Sequence, residues 1–226
     1  MSQLVRFSIT ERALHWAFAL TYLALLASGL PLMFGGLQAW IRDYSPVIGL
    51  RLHVACGVLW IAATLAVVLA GNRARLGATL RDLTRFARAD AAWLRRFPRW
   101  LVAGPTERAR IDAAVGRFNA GQKVNLVFTL VTSGLLLVSG LALTPVGDAV
   151  VATHVTGAAS IGLWRGAHRW LTLLVLVPVA GHVYLAALHP PTRASLGGML
   201  DGRVDERWAA AHHPRWRPDP RDREAA

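Results

Sequence analysis

Long apolar stretches alternate with charged segments along this chain of 226 residues. Four stretches lack Asp, Glu, Lys and Arg and reach the roughly 20 residues that a membrane-spanning helix needs. These stretches are residues 13–41, 52–72, 124–147 and 170–192. The spans that we predict from them are about residues 13–35, 51–71, 123–145 and 167–188. The pattern therefore predicts an all-α integral membrane protein, a bundle of four transmembrane helices in a single domain over residues 1–226.

The segments between these stretches predict surface structure. Residues 73–122 mix Leu, Phe and Trp with many arginines, which favours an amphipathic loop on the membrane surface. We expect one helix over residues 75–101, ended by the Gly-Pro pair at 104–105. The short, uncharged segment 149–164 predicts an interfacial or partly buried loop. The tail covers residues 193–226, and its polar last part, from Asp201, is expected to lie on the surface or to dock to a partner.

Composition supports a membrane protein, because only 17% of the residues are charged, against about a quarter in soluble proteins. Two arginines, Arg6 and Arg12, precede the first apolar stretch, as in a signal peptide. That stretch is longer than the 7–15 residues typical of a signal core, so we predict a retained first helix. Cys56 is the sole cysteine, which excludes an iron–sulfur cluster held by cysteines of this chain alone.

The distribution of Lys and Arg along the chain predicts how the protein is oriented in the membrane. Twenty-one of the 25 Lys and Arg residues fall in the N-terminal segment, the 73–123 segment and the tail. The positive-inside rule then places both termini and the long loop in the cytoplasm of a bacterium, as in a multi-pass protein of the inner membrane. The net charge of +12 also favours contact with anionic membrane lipid. Nucleic-acid binding explains it less well, because no nucleic-acid-binding module is visible.

Histidines within the apolar stretches are the candidate ligands. His168 and His182 are fourteen residues apart, nearly four helical turns, so both leave one face of a helix about 21 Å apart along its axis. The predicted orientation places His15 and His182 near the inner membrane face. It places His53 and His168 near the outer face, so depth alone predicts two histidine pairs.

Two histidine pairs at two depths suggest two stacked haems. A haem iron between two neutral imidazoles has no open position, which suits electron transfer rather than oxygen chemistry. Arginines near the span ends, among them Arg12, are candidate partners for haem propionates. A membrane histidine could instead only bond to a neighbouring helix. The remaining histidines have no partner at matching depth and are expected to be surface or docking residues: His154, His189, His212 and His213.

A polar cluster, residues 119–123 (NAGQK), directly precedes the third span. Its Asn119 and Gln122 amides could hydrogen-bond a quinone carbonyl. Asn119 could equally be the N-cap that starts a helix. The residues alone leave both interpretations open.

Residues 117–123 (RFNAGQK) resemble the (K/R)-(Y/F)-N-A-G-Q-K signature of the gamma subunit of membrane-bound respiratory formate dehydrogenases, a di-haem cytochrome b. The chain is similar to this family also in the RALHW segment at 12–16, in the two histidines fourteen apart, and in the tail from about residue 198 to 216. The similarity runs from about residue 7 to residue 217.

This resemblance implies two haem b groups held by the same four histidines. It also implies that Asn119, Gly121, Gln122 and His182 line a site that reduces menaquinone or ubiquinone. Electrons would come from an alpha subunit with molybdenum or tungsten, which oxidises formate, through an iron–sulfur beta subunit. They would then pass from the outer haem to the inner haem and to quinone. The alternatives are a cytochrome b subunit of a hydrogenase or sulfur-compound oxidoreductase, or a haem-free membrane anchor.

Overall fold

Helices make up most of the computed structural model, which describes residues 2–41, 43–144 and 158–218. The elements in chain order are β1 (Gln3–Val5), α1 (Ile9–Met33), α2 (Gly35–Trp40), α3 (Pro46–Ala70), α4 (Arg73–Thr84), α5 (Arg88–Val102), α6 (Pro105–Asp112), α7 (Ala120–Ala142), α8 (Ala158–Val183), α9 (Leu196–Leu200), β2 (Arg203–Asp205) and α10 (Glu206–His212). A π-helix (Tyr184–Leu188) and a 3₁₀ turn (Arg193–Ser195) follow α8.

Four of these helices are long and apolar enough to cross a membrane, which confirms the predicted number of spans. They are Ile9–Met33, Pro46–Ala70, Ala120–Ala142 and Ile161–Leu188. The predicted location of both termini and of the long loop on the cytoplasmic side stays a prediction.

All four spanning helices begin earlier than their predicted spans, and in α1 and α3 the reason is a capping group outside the uncharged stretch. Ser8 and Glu11 form a capping box, in which Glu11 Oε2 accepts from the Ser8 N–H at 2.7 Å, so α1 starts at Ile9. Ser45 caps α3, and Pro46 takes its first position. The loop predicted over 149–164 is wrong from residue 158 onward, since α8 begins at Ala158. The rest of that segment, with His154, lies outside the described residues.

The chain divides into two compact units, each containing one pair of packed spanning helices. Among the described residues, the first unit holds residues 2–41, 43–82, 194–211 and 216–218 and is built on α1 packed against α3. The second unit holds residues 83–144, 158–193 and 212–215 and is built on α7 packed against α8. A single membrane domain over residues 1–226 stays a prediction.

The tail is folded onto the start of the first unit, a contact that the sequence did not predict. Strand β2 pairs antiparallel with β1, with Leu4 opposite Val204. Arg6, the residue after β1, is only 1% exposed, and its guanidinium lies over the rings of Phe7, Trp208 and Trp216. The two chain ends therefore form one small aromatic core.

Two helices occupy the region predicted as a single helix over 75–101. Helix α4 ends at Thr84, and α5 begins at Arg88, where Asp90 Oδ2 accepts from the Ala87 N–H at 2.7 Å. Helix α5 ends just before Gly104, as predicted, and α6 begins at Pro105.

Candidate functional site

The four candidate histidines lie on spanning helices, two in each unit. His15 is on α1 and His53 on α3, whereas His168 and His182 are both on α8. Because α8 is one helix over this stretch, its two imidazoles are about 21 Å apart along the axis. Each predicted pair joins a histidine of one unit to a histidine of the other, and both pairings stay predictions.

His53 meets a serine of the neighbouring helix. Its Nδ1 lies 3.1 Å from the hydroxyl of Ser28 on α1. The same hydroxyl lies 2.7 Å from the carbonyl of Ala24, one turn earlier in its own helix. Ser28 is therefore held by its helix while it contacts the imidazole.

His168 repeats this arrangement in the second unit. Its Nδ1 lies 2.9 Å from the hydroxyl of Ser139 on α7. That hydroxyl lies 2.8 Å from the Leu135 carbonyl, again one turn earlier. Ser139 is 1% exposed, so water does not compete for these bonds. The two candidate outer ligands thus share one local geometry on two different helix pairs.

A glycine follows each of these serines and gives the imidazole its room. A Cβ on Gly29 would lie 3.0 Å from His53 Cε1, and a Cβ on Gly140 would lie 3.4 Å from His168 Cε1. The first distance is shorter than ordinary van der Waals contact, and the second is at its limit. In each Ser-Gly pair, the serine therefore hydrogen-bonds one imidazole and the glycine leaves space for its ring.

The two candidate inner ligands are surrounded differently. His15 is half-buried and meets the ring of Trp16 edge-on, at 5.2 Å between centroids. His182 is exposed on the surface of the chain, near the end of α8. Arg12, one of the candidate propionate partners, donates to the tail carbonyls of Leu200 and Asp201 at 2.7 and 2.9 Å.

The candidate quinone residues form the start of α7. Asn119 Oδ1 accepts from the Gln122 N–H at 2.9 Å, and Gln122 Oε1 accepts from the Asn119 N–H at 3.0 Å. The structure thus confirms Asn119 as the N-cap, one of the two open interpretations. This capping box uses the amide oxygens, so a quinone carbonyl would meet the amide N–H groups as donors. Gly121 lets the ring of Trp93 approach, since a Cβ there would lie 3.3 Å from it.

A buried carboxylate organises the aromatic cluster beside this helix start. Asp112 is 3% exposed and accepts from the indole N–H groups of Trp93 and Trp100 at 2.8 and 3.0 Å. Burial raises the pKa of Asp112, and the two indole hydrogen bonds oppose that rise. The cluster holds Trp93 against Gly121, so it supports the candidate quinone residues.

Two histidines expected at the surface are buried in the second unit. His189 is 4% exposed, packs on Trp100 at 5.7 Å and lies 3.1 Å from the Thr192 hydroxyl. Burial lowers the pKa of His189. His213 is 5% exposed, and its Nδ1 lies 2.8 Å from the Gly116 carbonyl. Both are structural residues, and His212 is half-buried.

Several residues of the site were not predicted. Ser28 and Ser139 had one sequence signal, a Ser-Gly pair on the helix preceding a candidate ligand helix. Ser133 and Gly134 form the same pair without contacting an imidazole among the described residues, so that signal is ambiguous. No sequence signal distinguished Asp90 or Asp112, because both lie in a charged amphipathic segment.

Comparisons with known proteins identify the family of the chain. Residues 6–202 match the family model described as prokaryotic cytochrome b561. The chain is 24% identical over 226 residues to the cytochrome b556(Fdn) subunit of the nitrate-inducible formate dehydrogenase of Escherichia coli (strain K12), covering 94% of this chain and 89% of that one. It is 26% identical over 221 residues to the formate dehydrogenase cytochrome b556(fdo) subunit of the same strain, covering 94% and 91%.

A formate dehydrogenase cytochrome b556 subunit of Haemophilus influenzae is 24% identical over 221 residues, with 95% of this chain and 82% of that one covered. The family match extends over all four spanning helices and into the tail. The chain therefore belongs to the prokaryotic cytochrome b561 family, whose name implies a haem b cofactor.

Proposed function

We propose that this chain is the membrane cytochrome b subunit of a formate dehydrogenase complex. The observation that carries the proposal is its alignment, along 94% of its length, with subunits of that name. The catalytic alpha subunit with molybdenum or tungsten and the iron–sulfur beta subunit would be other chains, so formate oxidation lies outside this one. The proposed location is the bacterial inner membrane.

The residues fit two haem b groups. Four histidines lie in or at the ends of apolar spanning helices, and two of them have glycines that leave space beside the ring. We assign His53 with His168 to the outer haem and His15 with His182 to the inner haem, by their predicted depths. When bound, the haems would carry single electrons across the membrane.

Quinone reduction is assigned to the start of α7. Asn119 and Gln122 would donate amide N–H groups to the quinone carbonyl. Gly121 would line the site beside Trp93, and His182 would line it as well as hold the inner haem. Menaquinone and ubiquinone both present carbonyl acceptors that suit these donors. The capping box supports this assignment because it fixes both side chains at one helix end.

The test is a set of alanine variants of the tagged complex, purified from the membrane. Wild type should contain two b haems per chain, and formate should reduce both. His182→Ala should lose one haem and all quinone reduction, whereas His53→Ala should lose the other haem. His212→Ala, a histidine outside the spans, serves as control and should keep two haems.

Three outcomes would contradict the proposal. A His182→Ala complex that keeps two haems would overturn the ligand assignment. Haems that hydrogen or a sulfur compound reduces, and formate does not, would place the chain in a hydrogenase or sulfur-compound oxidoreductase. An assembled complex without haem would mean that this chain is only a haem-free membrane anchor.

A further inference from the structure

We infer that Ser28 and Ser139 are matched positioning residues that set the tautomer and the ring orientation of the two outer haem ligands. The inference rests on the proposed function, since it takes His53 and His168 as those ligands. Each serine lies on the helix packed against the ligand helix, and the haem ligands were assigned without reference to either serine.

The direction of each hydrogen bond follows from the serine's single proton. The Ser28 hydroxyl lies 2.7 Å from the Ala24 carbonyl, and the Ser139 hydroxyl lies 2.8 Å from the Leu135 carbonyl. Two oxygens approach this closely when a proton lies between them, and a carbonyl has none to give. The serine therefore donates to its own helix and has only lone pairs to offer the imidazole.

An imidazole that faces a lone pair must supply the proton itself. The Nδ1 atoms of His53 and His168 lie 3.1 and 2.9 Å from their serine oxygens, so each Nδ1 carries the hydrogen. A neutral imidazole holds one N–H, and its lone pair is then on Nε2. Nε2 is the nitrogen farther from the helix backbone, and it is the atom that would bind iron.

The same bond also sets how strongly the ligand donates to iron. An Nδ1–H that donates to an oxygen gives the ring partial imidazolate character and makes Nε2 more basic. A more basic ligand stabilises the ferric state over the ferrous state. Ser28 and Ser139 would thus both lower the reduction potential of the outer haem.

The experiment is a redox titration of the purified complex, with each b haem followed separately by its visible and EPR spectra. Ser28→Ala and Ser139→Ala should each keep two haems. Each should shift the reduction equilibrium of one haem about threefold to tenfold toward the ferrous form, where tenfold corresponds to 59 mV for one electron. The shifted haem should be the same in both variants, and the double variant should show the two shifts added.

Matched controls come from threonines with the same helix bond. Thr21 on α1 and Thr132 on α7 donate to the carbonyls one turn earlier at 2.6 and 2.7 Å. Neither hydroxyl contacts an imidazole within the part of the chain that the structure describes. Thr21→Val and Thr132→Val should therefore leave both potentials unchanged. Ser28→Thr keeps the hydroxyl and should retain the wild-type potential, which keeps the test decisive if Ser28→Ala fails to assemble.

Several results would overturn the inference. The inference is wrong if both alanine variants leave the potentials unchanged, if they shift two different haems, or if the threonine controls shift the potential equally. It is also wrong if Ser28→Thr shifts the potential as much as an alanine variant does. These outcomes leave the proposed function intact, because wild type would still hold two haems that formate reduces. A wild type without haem would overturn both proposals.

Discussion

Lys123 and Asp90 form a largely buried ion pair, with Nζ 2.9 Å from Oδ2 and 3.0 Å from Oδ1. The pair joins the first turn of α7 to the first turn of α5. Lys123 also donates to the Arg85 carbonyl at 2.9 Å, and Asp90 also accepts the Ala87 N–H. The lysine at the end of the NAGQK segment is therefore part of the structure that holds the candidate quinone residues.

Removing the carboxylate should cost more than removing the lysine. Asp90→Ala leaves the Lys123 charge without its buried partner and also removes the acceptor of the Ala87 N–H at the start of α5, so we expect a loss of about 2–3 kcal/mol in unfolding free energy. Lys123→Ala should cost less, because Asp90 keeps the Ala87 N–H. Thermal unfolding of the purified complex measures both, with the exposed Asp82→Ala as control. Equal losses in the two variants would contradict this account.

Substitution of Asp112 should destabilise the aromatic cluster strongly. Asp112→Ala leaves two buried indole N–H groups without their acceptor, at a cost of about 2–4 kcal/mol. Asp112→Asn should lose less, since its amide oxygen still accepts from one indole. The change should appear in the fluorescence of Trp93 and Trp100 and as a lower Tm. An exposed neighbour, Arg110→Ala, should change neither.

His189 should make stability depend on pH in the mildly acidic range. Its pKa in the folded chain is lowered from the ordinary 6.5, by burial first and then by the nearby Arg108. The unfolded chain therefore binds more protons in this window, so stability is fully present above about pH 6.5 and falls as pH drops through the lowered pKa. His189→Gln should flatten that slope. An identical slope for wild type and variant, measured as unfolding free energy against pH, would contradict the assignment.

The two glycines beside the candidate outer ligands should differ in their tolerance of alanine. Gly29→Ala should displace the His53 ring more than Gly140→Ala displaces the His168 ring, because the Cβ distances are 3.0 and 3.4 Å. We expect altered haem spectra, stronger for Gly29→Ala. Gly134→Ala is the matched control, since its Cβ would meet nothing within 4 Å. That variant should instead stabilise α7 by about 0.5–1 kcal/mol. A spectrum changed more by Gly134→Ala than by Gly29→Ala would refute this.

Part of this molecule was predictable from local sequence. The four spans follow from stretches without charge, because a backbone in lipid must bond to itself and so becomes helical. The N-cap role of Asn119 was one of two open interpretations, because an Asn followed three residues later by Gln satisfies a helix start locally. The helix starts at Ile9 and Pro46 were missed, because charge alone does not mark where capping begins. The start at Ala158 was missed because that segment was predicted to be a loop.

Contacts between residues distant in sequence decided the rest. A serine in an apolar helix normally bonds only to its own backbone, and packing of α1 on α3 and of α7 on α8 brings Ser28 and Ser139 to an imidazole. His189 looked like a surface residue because a proline follows it, yet Trp100 of another helix covers it.

By itself, the sequence determined which segments are apolar helices and which histidines lie on them, since hydropathy and capping act over a few neighbouring residues. Only the tertiary structure decided which hydroxyl each outer imidazole meets, which carboxylate two tryptophans share, and that the tail folds back onto the first residues. Those outcomes depend on the approach of chain segments about 200 residues apart, as with Leu4 and Val204. Such approaches are set by packing, which no local pattern records.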